Sequence, residues 1–137
     1  PLVGEVARVT DGDKGFEKTS LLELPDGLQW VQVDLEKTST VYAVLVWHFH
    51  AEKQVYFDVV AQISDDPEFK TGVTTIYNND IDNSAGLGAG EDKEYVENAR
   101  GRLIDAKGAK GRYVRVYGKG NTKSEFTHFI EVEVWGK

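Results

Sequence analysis

The stretch TVYAVLVWHFHAEKQVYFDVVAQISDD, Thr40 to Asp66, holds the longest apolar run of the chain and its clearest two-residue alternation. It reads as two long strands joined by a short polar turn. In the second strand Val55, Phe57, Val59, Ala61 and Ile63 fall on one face and Tyr56, Asp58, Gln62 and Ser64 on the other, with Val60 the exception. That is the pattern of a strand with one buried face. The first strand is apolar on both faces until His48 and His50. A strand covered on both sides belongs in the middle of a core. Trp47 shares a face with Val41, Ala43, Leu45 and Phe49 and is expected to be packed there.

Working outward, Trp30 to Leu35 (WVQVDL) is a strand with Val31, Val33 and Leu35 on one side, and Glu36 to Ser39 reads as a polar connection into the hairpin. Residues 1 to 29 are irregular, with turn signals at Thr10 to Gly15 and at Pro25-Asp26-Gly27, and Leu21 and Leu22 are placed to tuck under the sheet. After Asp65-Asp66-Pro67 breaks the chain, Gly72 to Tyr77 is a short strand rich in β-branched residues. Arg102 to Asp105, Arg112 to Tyr117 and Phe129 to Trp135 follow as strands, with Val114, Val116, Ile130, Val132 and Val134 inward. Eight of the fourteen glycines lie between Gly86 and Gly120, so this half is rich in loops, where binding surfaces are commonly built. No convincing helical period is present. Seven or so strands with loops of mixed length predict an all-β sandwich or jelly roll in one domain, 1–137.

Composition narrows the function. Sixteen Lys and Arg against twenty-three Asp and Glu give a net charge of −7, which disfavours nucleic-acid or anionic-membrane binding. Metal cations and neutral ligands suit it better. The absence of Cys removes disulfides and thiolate chemistry and leaves the redox compartment open. No apolar run approaches the ~20 residues that a spanning helix needs, so membrane insertion is not expected. A start at Pro1 without Met reads as a domain excised from a larger protein.

Several segments, taken in order and spacing, resemble the discoidin or coagulation factor 5/8 type C family, including the family 32 carbohydrate-binding modules. They are the Asp11-Gly12-Asp13 turn, LQWVQVDLE, the hairpin ending QISDDPEF, GRYVRVYG and the final FIEVEVWG. The resemblance spans roughly Ala7 to Gly136. It implies a galactose-binding-like β-sandwich with a ligand site on loops at one end and a structural calcium near the termini. By that likeness the metal is held by Asp11, Asp13, Glu131 and the carbonyls of Arg8, Phe16 and Ile130, with Phe16 standing where many members have Thr. Calcium takes six to eight oxygens of this mixed kind. Taken without the family, Asp11-Gly12-Asp13 is an ordinary solvated turn.

The same resemblance places a sugar site on His48 and His50, on Asn78, Asn79, Asp80 and Asn83, and on Asn121, Phe126 and His128. Sugars are recognised by an aromatic face and by planar polar groups that reach hydroxyls in pairs. Read alone, the histidines also fit a surface pair without a ligand, and Asn78 to Asn83 also fits turn chemistry. Asp80, Asp82, Ser84, Gly86 and Glu91 have the ligand spacing of an EF-hand loop, but Ala85 replaces its glycine and no helices flank it.

The resulting expectation is a non-catalytic carbohydrate-binding module, secreted or on the cell surface of a bacterium. Its expected partners are a glycan and the linked neighbouring domains of a longer protein, and the isolated domain is expected to be monomeric. An adhesion module of the same fold, binding a protein or cell-surface partner, is the alternative. An enzyme would require His48, His50 and His128 to converge on zinc, and no nucleophile elbow or spaced carboxylate motif accompanies them.

Overall fold

Twenty consecutive residues, Gln29–His48, form one strand where the pattern suggests two strands and a connection. The computed structural model describes Gly4, residues 6–14 and residues 21–137. A 3-10 helix, Val6–Thr10, precedes six strands: β1 (Leu22–Leu24), β2 (Gln29–His48), β3 (Val60–Ser64), β4 (Thr74–Asn78), β5 (Arg102–Gly118) and β6 (Thr127–Gly136). All pairings are antiparallel, in the order β1-β6-β2-β5-β3-β4. Among the described residues the fold is therefore all-β, with six strands against the seven or so that the pattern predicts.

β2 and β5 belong to both layers of the sandwich. The first half of β2 pairs with the second half of β5, which carries β3 and β4, while the second half of β2 pairs with the first half of β5 and with β6. Two register breaks separate the halves. Between Asp34 and Ser39 the extra residues of β2 bulge out, with Glu36 at φ 71° and Asp34 accepting both the Glu36 N–H and a bidentate Arg112 pair. The polar Glu36 to Ser39 segment is thus a bulge inside a strand. Between Val41 and Ala43 the extra residues lie in β5, where Lys107 and Gly108 have positive φ.

A bulge changes which residues face inward. Val41, Val44 and Val46 enter the main core with Val31, Val114, Val116, Ile104, Phe129 and Val132. Trp47 instead forms a satellite cluster with Leu21 and Ile130, against which Leu45 and Phe49 pack. The expected single face from Val41 through Phe49 is therefore split. β6 shows the same effect: Trp47 pairs with Glu131 and His48 with Phe129, so Ile130 bulges away from Val132 and joins the satellite cluster.

Gly101 closes that cluster. It sits at φ +72°, and a Cβ there would lie 2.6 Å from the Trp47 ring, whose Nε1–H donates to the Ala99 carbonyl at 3.1 Å. Gly101→Ala should lower the unfolding free energy by roughly 1–3 kcal/mol, from backbone strain and overpacking together. Denaturant unfolding measures this, and an unchanged midpoint would refute the close packing.

Candidate functional site

Asp58 has a left-handed backbone, φ +53°, and it reverses the alternation of the segment that precedes β3. Beyond it Val59, Ala61 and Ile63 are buried as expected, but before it Tyr56 turns inward, 1% exposed, and Phe57 turns out, 36% exposed. Phe57 was expected on the buried face. It becomes instead the shared wall of two surface clefts, one of about 470 Å³ and one of about 320 Å³, which also share Lys119. A third cleft of about 210 Å³ adjoins the second through Asn121 and Ser124 and is lined by Phe49, Phe126 and His128. The three form a run across the loop-bearing end of the sandwich.

The largest cleft is lined by Phe57, Ile81, Asn79, Ser84, Lys119 and three acids, Asp58, Asp82 and Glu94. Asp58, Asp80 and Asp82 each bring a carboxylate oxygen within 4.8 Å of the others. The Ser84 hydroxyl lies 2.8 Å from Asp58 Oδ2 and 3.2 Å from Asp80 Oδ1. Partial burial raises the Asp58 carboxyl above its usual range, Ser84 opposes this and the Asp80 charge reinforces it, whereas hydrogen bonds from Ser84 lower Asp82.

The polar side chains of Asn78 to Gly90 mostly hold their own loop. Asn78 Oδ1 accepts the Asp80 N–H, and its Nδ2 donates to the Gly88 carbonyl. Asp80, fully buried, accepts the N–H groups of Ser84 and Ala85. Asn83, at φ +59°, accepts the Gly88 N–H. These are the local backbone bonds that Asn and Asp favour in turns, and no helix flanks them. Asn121 acts likewise, accepting from Lys123 and Ser124 and donating to the Phe126 carbonyl, so it both walls the clefts and shapes the β5–β6 loop. Asn79 differs: its Oδ1 accepts the Val59 N–H at 2.7 Å, and its buried Nδ2 has no hydrogen-bond partner.

The histidines do not converge. His48, 0% exposed, lies 2.7 Å from Glu97 Oε1 through Nδ1 and stacks on Tyr56 at 4.3 Å. It has no surface to offer a sugar, because an apolar strand end next to a buried carboxylate made it a core residue. His128 is held between the Tyr56 hydroxyl, 3.0 Å from Nδ1, and Glu23, 2.8 Å from Nε2. Burial and then the charges of Glu97 and Glu23 push the Tyr56 phenol well above its ordinary range. His50 is half-buried, with Nδ1 3.0 Å from the His48 carbonyl, and lines none of the three clefts. Among the described residues no histidine belongs to a group of three convergent metal ligands.

At the N-terminal turn, Glu131 Oε2 accepts the Gly12 N–H at 2.9 Å, and Asp11 Oδ1 accepts the Asp13 N–H at 2.9 Å. Glu131 is 3% exposed and its Oε1 is buried without a hydrogen-bond partner. Burial, and then the charges of Asp11 and Glu133, push its carboxyl up to about 7. Phe16 lies outside the described residues.

No protein-family model and no curated protein matches the sequence. Solved structures do. A family 89 glycoside hydrolase from Clostridium perfringens matches over 95% of this chain at TM-score 0.71 and 18% identity. The chain spans only 12% of that hydrolase's length. The family 32 carbohydrate-binding module of AlyQ, solved with 4,5-unsaturated mannuronic acid, matches at TM-score 0.61 and 19% identity, covering 95% of this chain and 84% of that one. The fold is that of the family 32 carbohydrate-binding modules. A chitosan-binding module from the chitosanase/glucanase of Paenibacillus sp. IK-5 is similar at TM-score 0.57 and 24% identity, covering 96% and 85% of the two chains.

On this carbohydrate-binding-module fold the structure gathers Asn121, Phe126 and His128 at one cleft and Asn79 at another, and leaves His48 in the core. Phe57, Asp58, Ile81, Glu94 and Lys119 line the largest cleft and were not singled out from sequence. The missed signal is Asp58, a residue type that tolerates a left-handed backbone, set inside an otherwise regular alternation.

The buried His48–Glu97 pair gives a test of scaffold against site. Glu97→Ala alone should destabilise the domain by about 3–5 kcal/mol, since a buried pair loses one partner. The double variant His48→Phe with Glu97→Leu should recover most of that loss and keep whatever ligand the wild type binds. Denaturant unfolding together with binding measurements checks both.

Proposed function

We propose that this domain is a non-catalytic carbohydrate-binding module that takes a glycan along the run of clefts around Phe57. The observation that carries the reading is Phe57 itself, an outward aromatic flanked on both sides by concave, polar-lined surface. An aromatic edge or face accepts the C–H side of a pyranose, and the groups around it exchange hydrogen bonds with hydroxyls. Adjoining clefts suit an oligosaccharide better than a single sugar. The likeness in fold to modules whose names state mannuronic acid or chitosan as ligand supports the same reading. The site differs from the one expected from resemblance: it centres on Phe57 and keeps Asn79, Asn121, Phe126 and His128 in its walls.

We infer in addition that a structural calcium sits at the N-terminal turn, held mainly by carbonyls, since Asp11, Asp13 and Glu131 do not bring three carboxylate oxygens within 4.8 Å of one another. An orphaned, buried Glu131 oxygen beside Asp11 asks for a cation, and carbonyls of that turn and of Ile130 would complete an oxygen shell of the kind calcium takes. The ion would tie the turn to β6 and make no sugar contact. Asp13 would contribute from the same turn. A secreted or cell-surface location, with the module joined to a catalytic neighbour in a longer protein, accords with the CBM32 and lyase domains of the truncated AlyQ structure.

On a glycan array the domain should bind, and Phe57→Ala should weaken that binding at least tenfold without changing the melting temperature by more than a few degrees. Silence across neutral, cationic and acidic glycans would refute the reading. Calcium should raise the melting temperature, because a ligand bound only by the folded state stabilises it. Glu131→Gln should abolish that rise, and a melting curve indifferent to calcium and to chelator would refute the metal.

A further inference from the structure

Two Asp-Gly steps occur in the chain, Asp11-Gly12 and Asp26-Gly27. Such a step can close on itself, because glycine has no side chain to shield its amide nitrogen from the preceding carboxyl. The structure treats the two differently. The Gly12 N–H donates to Glu131 Oε2 at 2.9 Å and Asp11 Oδ1 accepts the Asp13 N–H at 2.9 Å, so nitrogen and carboxyl are both engaged. Asn83-Ser84 is held in the same way, the Ser84 N–H by Asp80 and Asp82 and Asn83 Oδ1 by the Gly88 N–H. Asp26-Gly27 is exposed, with Gly27 at φ +83° and open space where a Cβ would stand. Among the described residues neither the Gly27 N–H nor the Asp26 carboxylate has a hydrogen-bond partner. We propose that Asp26-Gly27 is a self-modification site, which converts through a cyclic imide to an isoaspartyl linkage.

Gln29 makes the site more than an exposed pair. Its Nε2 donates to the Asp26 carbonyl at 3.2 Å, the carbonyl of the same peptide whose nitrogen must attack. When that nitrogen gives up its proton the negative charge rests largely on this oxygen, where the hydrogen bond strengthens and favours the ionised form. The nitrogen then attacks Asp26 Cγ: the N–Cγ bond forms, the Cγ–OH bond of the protonated carboxyl breaks, and hydroxide leaves with the released proton as one water. Water next adds to the main-chain carbonyl carbon of the ring and the C–N bond there breaks, which leaves Gly27 attached through Cγ. Mass is conserved and the backbone gains one methylene. Asp26 and Gly27 wall the cleft of about 320 Å³ that Phe57 borders. On the glycan-binding reading, which only this consequence needs, conversion displaces that wall and weakens binding.

The test is prolonged incubation of the folded domain at mildly alkaline pH, then labelling with an isoaspartyl methyltransferase and peptide mapping. Label should accumulate at Asp26 at least about tenfold faster than at Asp11, because only Gly12 must first leave a hydrogen bond to a carboxylate. Gln29→Met should slow conversion at Asp26 severalfold with the melting temperature unchanged, and Gln29→Glu is the second variant. Comparable labelling at Asp11, no labelling at Asp26, or a rate that both Gln29 variants leave unchanged overturns the proposal. The consequence is read on the glycan array. Aged wild type should lose binding in proportion to its label, whereas fresh and aged samples of Asp26→Glu, whose longer side chain closes the ring far less readily, should bind alike. Undiminished binding by fully labelled wild type overturns the consequence. A domain that labels at Asp26 and binds no glycan, fresh or aged, overturns the glycan-binding reading and leaves the modification site standing.

Discussion

Everything in this molecule hangs on the antiparallel pairing of β2 with β5, the two strands that run through both layers. Because side chains alternate with a period of two, a continuous ladder of that length would present one set of residues inward along its whole course. The layers could not then close over a common core. The breaks at Asp34 to Ser39 and Val41 to Ala43 let the strands bend and reassign faces, so Val31 from one half and Val44 and Val46 from the other reach the same cluster. Asp34, holding the Glu36 N–H and the Arg112 guanidinium, fixes the first bend from outside. The left-handed Lys107 and Gly108 fix the second.

How far this was legible in the sequence follows from the same physics. Strand-forming residues announce themselves by alternation, so β2, β5 and β6 were recognisable in outline and the all-β class with them. A bulge adds residues without changing composition, so Glu36 to Ser39 looked like a loop and Val41 to Phe49 like one face. Ile130 is buried as the alternation of β6 predicts, but a register shift visible only in the pairing turns it to Trp47 instead of to the main core. His48 was misread because a polar residue at the end of an apolar strand has the same signature whether it meets solvent or a buried carboxylate from a distant loop. Glu97 is 49 residues away and carries no local mark of that role.

The loops show a division that residue type alone conceals. Asn and Asp are enriched in both turns and sugar sites, and here the geometry separates the two uses. Asn78, Asn83 and Asn121 are committed to backbone groups within ten residues of themselves, and Asp80 to Ser84 and Ala85. Their role is to make long, glycine-rich loops rigid. A rigid loop loses less conformational entropy when a ligand arrives, so such side chains can favour binding without touching a ligand. The groups left facing outward are Phe57, Ile81, Lys119 and the acids.

That remainder changes the meaning of the chain's net charge of −7. Read from composition, it only disfavours polyanions. Placed on the structure, part of it is structural: Asp34 and Asp66 lie below the usual carboxylate range because Arg112 holds one and backbone N–H groups hold the other, and Glu131 lies above it, buried next to Asp11. Asp58, Asp82 and Glu94 stand apart by position. They border a cleft with a single opposing cation, Lys119, and Asp58 is raised by burial and then by its neighbour Asp80. The sandwich supplies the rigidity, and the acids at its end set the charge of the cleft beside Phe57.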